Sequence, residues 1–425
     1  MRIEEIYEFY KSSYRVIKDT REDVKNAIYF SLKGESFNGN KYALEAVNNG
    51  ANYAIIDEVE YKVDERLILV DDALTCLQQL ARYHREQLKI PILALTGSNG
   101  KTTTKELINV VLNKKFNCLA TKGNLNNHIG VPLTLLSITP DCDFGVVEMG
   151  ANHQLEIEEL CKIAQPDYGY ITNFGRVHLE GFGSFEGVIE GKTEMYRHLK
   201  NGRKRVFVNQ QDPIQMKKSS EIDRTIFGGP GADCNISFID ADPFVSIKFE
   251  GVEINSNLIG AYNFANIAAA ICIGNYFGIA VEEIKDAIEG FIPKNNRSQI
   301  IQRASNKIIM DAYNANPNSM DAAIQNLISL SDAKKVAVLG DMFELGQDTM
   351  LEHQKIVDQL STAELDGIYL VGETFYKTKD SMQKMQKFRS FEEFAAAFDG
   401  TAYQGTTFLI KASRGMALER TLDHI

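Results

Sequence analysis

The segment TGSNGKTTT, residues 96–104, constrains this chain more than any other. An apolar run, LKIPILAL, precedes it, and a helical pattern over about 102–113 follows. A glycine turn between a buried strand and a helix belongs to a parallel α/β sheet, because the helix carries the chain back across the sheet. Glycines let backbone approach an anion closely. The amides that open the helix then point at that anion, and the helix dipole favours its charge. The turn therefore reads as a phosphate cradle, with Lys101 able to reach terminal phosphates and Thr102 placed to ligate Mg²⁺ through its hydroxyl. The longer form of this loop has a further glycine five positions before Gly100, where this chain has Leu95.

A chain of 425 residues exceeds what one core usually organises, so several domains are expected. Residues 1–88 hold short β-like runs (AIYFSL, NYAIID, LILV) and helical patterns at 42–49 and 72–88, which makes a small α/β domain. Residues 89–298 form a second unit, with strand candidates at 90–95, 144–150, 168–174 and 205–210, a stretch at 226–258 that reads as antiparallel, and a helix at 263–278. The linker GFIPKNNRS, 290–298, separates it from residues 299–425. There strands and helices alternate, which predicts a doubly wound, Rossmann-like domain. The closing stretch 414–422 reads as a helix.

Composition narrows the function classes. A formal charge of −11 argues against a general nucleic-acid binder, yet leaves room for a local cationic pocket. No apolar run approaches the roughly 18 residues of a membrane helix, and the N-terminus lacks a signal-peptide pattern, so a cytoplasmic protein is expected. The six scattered cysteines contain no C-x-x-C pair and read as reduced, mostly buried thiols.

Other polar groups fall where such sheets place ligands, at the carboxyl ends of strands. Glu148 closes the apolar VVEMG run near the phosphate turn and is a candidate Mg²⁺ ligand, although taken alone it reads as a surface carboxylate. Asp311, Asp341 and Lys411 end strands in the last unit. Asn263 suits a helix N-cap. Taken alone, Lys192 reads as a solvated helix lysine and His178 as a structural histidine. Ser413 and Arg414 read alone as a helix cap with a solvated charge.

Several stretches together resemble the Mur ligase and folylpolyglutamate synthase superfamily. They are TGSNGKTTT, GNLNNHIGVPLT (123–134), NFGRVHLEGFGS (173–184), EGKTEMY around Lys192, GAYNFANIAAA (260–270), DAYNANPNSM (311–320), LGDMFELG (339–346) and KASRGMALE (411–419). Within the Mur ligases, DAYNANPNSM and LGDMFELG resemble the branch that adds D-alanyl-D-alanine, and no D-N-P-R element of the diaminopimelate-adding branch is found. The resemblance implies three domains: a small N-terminal α/β UDP-binding domain, a central P-loop-type ATPase domain with a mostly parallel sheet, and a C-terminal Rossmann-like domain. It implies a monomeric ATP- and Mg²⁺-dependent ligase that joins D-alanyl-D-alanine to UDP-N-acetylmuramoyl-tripeptide through an acyl phosphate, in peptidoglycan precursor synthesis.

Residue roles follow from the same resemblance. Lys101, Glu148, His178 and Lys192 would be catalytic, with Thr102, Glu148, His178 and Lys192 at the metal and Lys192 carbamylated. The local pattern departs here, with GKTE where relatives carry AKGE. ATP would contact Thr96, Gly97, Ser98, Asn99, Gly100, Lys101, Thr102, Thr103, Asn263, Arg297 and Asp311, while Asn266 positions its helix. The UDP-tripeptide and dipeptide would meet Thr20, Arg21, Ser31, Lys33, Asn40, Asn124, Asn126, Asn127, Asn314, Asn316, Asp341, Lys411, Ser413 and Arg414. Rival readings are a diaminopimelate- or lysine-adding Mur ligase, a folylpolyglutamate synthase, or a non-catalytic nucleotide-binding relative. The last would be expected to have lost Lys101, Glu148 or His178, and all three are present.

Overall fold

The computed structural model of the chain describes residues 1–294, 296–379 and 384–425. Asn295, one of the two asparagines of the predicted linker turn, lies outside the described residues. The described residues build three α/β units, each around its own sheet, with a small two-stranded ribbon at Lys33–Gly34 and Phe37–Asn38.

The first sheet is parallel, with strands Val16–Ile17, Ile28–Phe30, Tyr53–Ile56 and Leu67–Leu69 side by side. Helix Ala73–Gln87 leaves it, its start capped by the Asp72 carboxylate accepting from the Thr75 amide at 2.6 Å. Its apolar positions Cys76, Leu77, Leu80 and Ala81 recur at three- and four-residue spacing and are buried. That face packs on helix Ile3–Lys11 and also on helices Gly130–Leu135 and Glu156–Ala164 of the next unit. The first two units consequently share one apolar core.

The central sheet has nine strands. In spatial order they are Val252–Ile259, Phe244–Phe249, Cys234–Asp240, Asp223–Gly228, Arg205–Asn209, Tyr168–Ile171, Ile92–Thr96, Phe144–Glu148 and Cys118–Ala120. The seven from Cys234–Asp240 to Cys118–Ala120 are parallel. Antiparallel pairing is confined to Cys234–Asp240, Phe244–Phe249 and Val252–Ile259, so the predicted antiparallel stretch begins later than its pattern suggested. Asp223–Gly228 instead continues the parallel ladder. Strand Ile92–Thr96 lies between Phe144–Glu148, which follows it in the chain on one side, and Tyr168–Ile171 on the other. The order reverses at this strand, and crevices at such reversals take ligands in open α/β sheets.

The third sheet runs Gln299–Arg303, Asn306–Asp311, Thr407–Lys411, Lys335–Gly340, Gly367–Val371 and Met385–Phe388. All pairs are parallel except the first, an antiparallel hairpin. That edge strand was absent from the alternating β-α expectation, because residues 299–303 are only half-buried and carry no continuous apolar run. The predicted closing helix is also corrected: residues Arg414–Met416 and Leu418–His424 form two 3₁₀ turns. Ala417 between them has a φ of 47°, a left-handed conformation that an α-helix does not accommodate.

The seam between the first two units contains one buried polar knot. His84 places Nε2 2.8 Å from the Ile138 carbonyl, so that nitrogen carries the proton, and Nδ1 accepts from the Tyr7 hydroxyl at 3.2 Å. The Tyr10 hydroxyl donates to the Leu136 carbonyl at 2.8 Å. Burial holds the imidazole pKa below its ordinary value. The unfolded chain therefore binds a proton that the folded chain resists, so His84 removes stability as pH falls through the ordinary histidine range of about 6.5. The drop in urea midpoint between about pH 7.5 and 5.5 is expected to shrink in His84→Gln. Identical drops in the two proteins, measured by circular dichroism, would exclude this source of acid sensitivity.

Candidate functional site

A cavity of about 1090 Å³ opens at the switch point. Its floor is the turn that joins strand Ile92–Thr96 to helix Lys101–Leu112. Gly97 has a φ of 145°, and a Cβ built there would stand 1.9 Å from the Thr172 hydroxyl. Gly100 has a φ of 77° and faces Asn266, whose Oδ1 would be 2.6 Å from such a Cβ. The two glycines are thus required both by conformation and by space. The Asn99 backbone is pinned between them: its amide donates to Asn173 Oδ1 at 3.0 Å, and its carbonyl accepts from the Thr172 hydroxyl and Asn173 Nδ2. Asn266 accepts from the Thr104 hydroxyl at 3.0 Å and donates to Asn263 Oδ1, and Asn263 donates to the Ile259 carbonyl. This chain of bonds ties the start of the loop helix to helix Phe264–Tyr276. Asn263 therefore spends its amide on that chain and makes no side-chain bond that caps the helix.

Lys101 folds back over the turn, its ammonium donating to the Gly97 and Ser98 carbonyls at 2.8 and 3.3 Å. Burial pushes its pKa down, and the Glu148 carboxylate partly restores it. Glu148 is 1 % exposed. Its Oε1 accepts from Asn126 Nδ2 at 2.8 Å and lies 3.3 Å from the Thr102 hydroxyl, while its Oε2 is buried without a partner. A buried carboxylate oxygen left unbonded, beside a hydroxyl and facing a cavity, fits a divalent cation. Among the described residues no cluster of three His, Cys, Asp or Glu side chains surrounds the place.

The other predicted metal residues stand differently. His178 lines the cavity with a φ of 48°, and its Nδ1 sits 2.5 Å from Glu344 Oε2 of the third unit. Lys192 is 1 % exposed, and its amine lies 5.5 Å from the Phe182 ring centroid. Burial, reinforced by the Lys101 charge, lowers its pKa well below the ordinary lysine value.

The third unit forms one wall. Lys411 is 2 % exposed and pairs with Asp311 at 2.5 Å, and the Asp311 carboxylate also accepts from the Ser298 amide at 3.1 Å. Arg297 stacks on Tyr313, 3.6 Å from its ring centroid. Tyr262 and Tyr313, both lining the cavity, escaped the sequence reading, although each stands inside a motif that it used. Asn316 caps helix Pro317–Ser329, its Oδ1 accepting from the Ser319 amide at 3.0 Å, and its Nδ2 donates to Asn99 Oδ1 at 2.6 Å.

The cavity brings together Ser98, Asn99, Gly100, Lys101, Thr102, Thr103, Asn124, Asn126, Asn127, Glu148, His178, Asn263, Arg297, Asp311, Asn314, Asn316 and Lys411. Thr96, Gly97 and Lys192 lie behind its lining. Three other expected pocket residues are placed elsewhere. The Asp341 carboxylate accepts from the Thr374 and Phe375 amides, each at 2.9 Å, and so holds the start of a helix. The Ser413 hydroxyl accepts from the Phe343 amide, and Arg414 is exposed in a pair with Glu419. Asp341, expected with Asn314 and Asn316 around the dipeptide, and Ser413 and Arg414, expected with Lys411 at a carboxylate, lie outside the lining of this cavity, their polar atoms spent on local backbone or turned to solvent.

The N-terminal candidates form a separate group. Asp57, which the sequence reading missed, accepts from Asn40 Nδ2 at 2.8 Å and from the Ala73 amide, and pairs with Lys33 at 3.1 Å. Ser31 is buried with an unbonded hydroxyl. Arg21 is exposed and paired with Asp19, and Thr20 is half-buried.

Comparisons with known proteins agree with this layout. Residues 95–274 match the Mur ligase middle domain, and residues 296–414 match the Mur ligase, glutamate ligase domain. The UDP-N-acetylmuramoyl-tripeptide–D-alanyl-D-alanine ligase of Bacillus subtilis is 34% identical over 423 residues, covering 96% of this chain and 92% of that protein. The enzyme of the same name from Escherichia coli is 30% identical, at 96% and 92% coverage. A crystal structure of MurF from Acinetobacter baumannii superposes with a TM-score of 0.86 at 32% identity, covering 96% of this chain and 92% of that one. MurF ligase from Thermotoga maritima in complex with ADP superposes with a TM-score of 0.85 at 27% identity, covering 96% of each.

The fit of the turn yields a test. Gly97→Ala drives a methyl group into Thr172 and should lower polyphosphate affinity by roughly tenfold or more, about 1.4 kcal/mol. Thermal unfolding should show a folded protein, since the turn is one short segment beside a large core. Unchanged affinity of the variant for ADP by calorimetry would mean that the turn does not hold the phosphates.

Proposed function

The chain belongs to the Mur ligase family, and on that premise we propose that it joins D-alanyl-D-alanine to UDP-N-acetylmuramoyl-tripeptide at the expense of ATP, within the domain division at about residues 88 and 298. The observation that carries this reading is the glycine turn at 97–100 sharing one cavity with the buried, half-bonded carboxylate of Glu148. Its support from relatives is the shared name of enzymes at up to 34% identity over nearly the whole chain.

In this reading the turn amides and Lys101 hold the β- and γ-phosphates. Lys101 would exchange the two carbonyls it now contacts for phosphate oxygens, which bind an ammonium more strongly because they are charged. Thr102 and Glu148 would hold Mg²⁺, with His178 near a second ion, and magnesium would supply charge neutralisation on the transferring phosphoryl group. Asp311 would accept from the ribose hydroxyls, with Asn263 and Arg297 around the nucleoside. The tripeptide carboxylate attacks the γ-phosphorus and ADP leaves, giving an acyl phosphate. The dipeptide amine then attacks the acyl carbon, loses a proton, and expels phosphate. The UDP group would lie by Ser31, Lys33 and Asn40, where an amide and an ammonium converge on Asp57 and the Ser31 hydroxyl is unbonded.

Lys192 fits carbamylation. Its lowered pKa favours the neutral amine, the form that adds carbon dioxide, and the resulting anion would face the Lys101 ammonium. Lys192→Ala should lose at least about a hundredfold in kcat, and a short carboxylic acid should restore part of it. Full activity without the acid would eliminate the carbamate.

The direct test supplies the protein with ATP, Mg²⁺, D-alanyl-D-alanine and UDP-muramoyl-tripeptide, and weighs the product. A pentapeptide mass with one ADP per product is expected, and Lys101→Ala should abolish it. A product formed only with a free amino acid in place of the dipeptide would redirect the reading to another branch of the family.

A further inference from the structure

Two asparagines from different units meet at the phosphate turn, Asn99 within it and Asn316 from the third unit. Asn99 has its backbone fixed on both sides by Thr172 and Asn173, which leaves only its side chain to report outward. That side chain accepts from Asn316 Nδ2 at 2.6 Å. Asn316 in turn cannot drift, because its Oδ1 caps helix Pro317–Ser329 and its backbone amide donates to the Ser319 hydroxyl at 3.0 Å. Two residues on, within the first turn of the same helix, Asn318 Oδ1 accepts from the Arg176 amide at 2.9 Å. Arg176 follows Gly175, whose carbonyl accepts from the Ser98 hydroxyl at 3.2 Å and whose amide donates to it at 2.8 Å. Both contacts therefore end on the same short turn.

From this geometry we infer that Asn316 is a positioning residue: with the third unit docked, it sets the Asn99 side chain and steadies the phosphate turn for phosphoryl transfer. The inference rests on the ligase reading above and adds a residue role to it. Asn316, grouped with the substrate contacts from its motif, acts on the turn through Asn99. An ATP bound without the third unit in place would lie on a turn missing two of its outer supports, which discourages transfer to water before the amine carrier has closed.

The obvious variant, Asn316→Ala, would also uncap the helix. Asn316→Ser separates the two roles, because serine caps well and is too short to reach Asn99. Four full-length proteins are compared: unaltered, Asn316→Ser, Asn99→Ala and the double variant. Each single variant should lose roughly tenfold in kcat with ADP affinity within about twofold, and the double variant should lose no more than the worse single one, as expected for contacting residues. Amide hydrogen exchange across 97–103 should quicken in Asn316→Ser to the rate seen in Asn99→Ala. Losses that multiply in the double variant, or unaltered turnover and exchange in Asn316→Ser, would overturn the inference. Absence of turnover in the unaltered protein with all three substrates would defeat the ligase reading, and the exchange rates would still decide whether Asn316 steadies the turn.

Discussion

A backbone turn with no room for side chains governs this structure. Gly97 lies against Thr172 and Gly100 against Asn266, so the strand, the neighbouring strand end and helix Phe264–Tyr276 must all be in place before the turn has its shape. The central sheet supplies that frame by reversing its order at Ile92–Thr96. The reversal opens a crevice, and the helix that follows points its free amides into it.

The electrostatics of the crevice follow from burial. Lys101 and Lys192 both have their pKa lowered by desolvation, and Lys101 lowers Lys192 further. Glu148 opposes the shift of Lys101, yet one of its own oxygens has no partner. A buried ammonium held only by carbonyls beside a half-bonded carboxylate is the charge pattern on which the proposed binding of polyphosphate rests.

Contacts between units complete the site. His178 pairs with Glu344, Asn316 with Asn99, and Arg176 with Asn318, each linking the central unit to the third. Each is polar, two of them between side chains and one from the Arg176 backbone amide, as suits an interface between separately organised units. The seam between the first and second units is different: an apolar core with a buried histidine, built to stay shut.

Much of the fold was legible because its signals are local. A glycine turn before a helix, apolar runs of strand length and their alternation with helices depend on nearest neighbours, and Ile92–Thr96, Lys101–Leu112 and the parallel third sheet were read from them. The turn itself was legible for the same reason, whereas the burial of Glu148 was not, since a carboxylate at a strand end read alone belongs on the surface. The half-buried edge strand Gln299–Arg303 and the broken helix at Ala417 were not legible either, because the first carries no continuous apolar run and the second turns on one residue in a left-handed conformation that no sequence pattern marks. Nor could any pattern in the chain say whether Asp341 faces a pocket or the Phe375 amide, or that Asn316 would meet a residue 217 positions away. Sequence sets what a residue can bond to, and only the packing of three units decides which of those bonds is within reach.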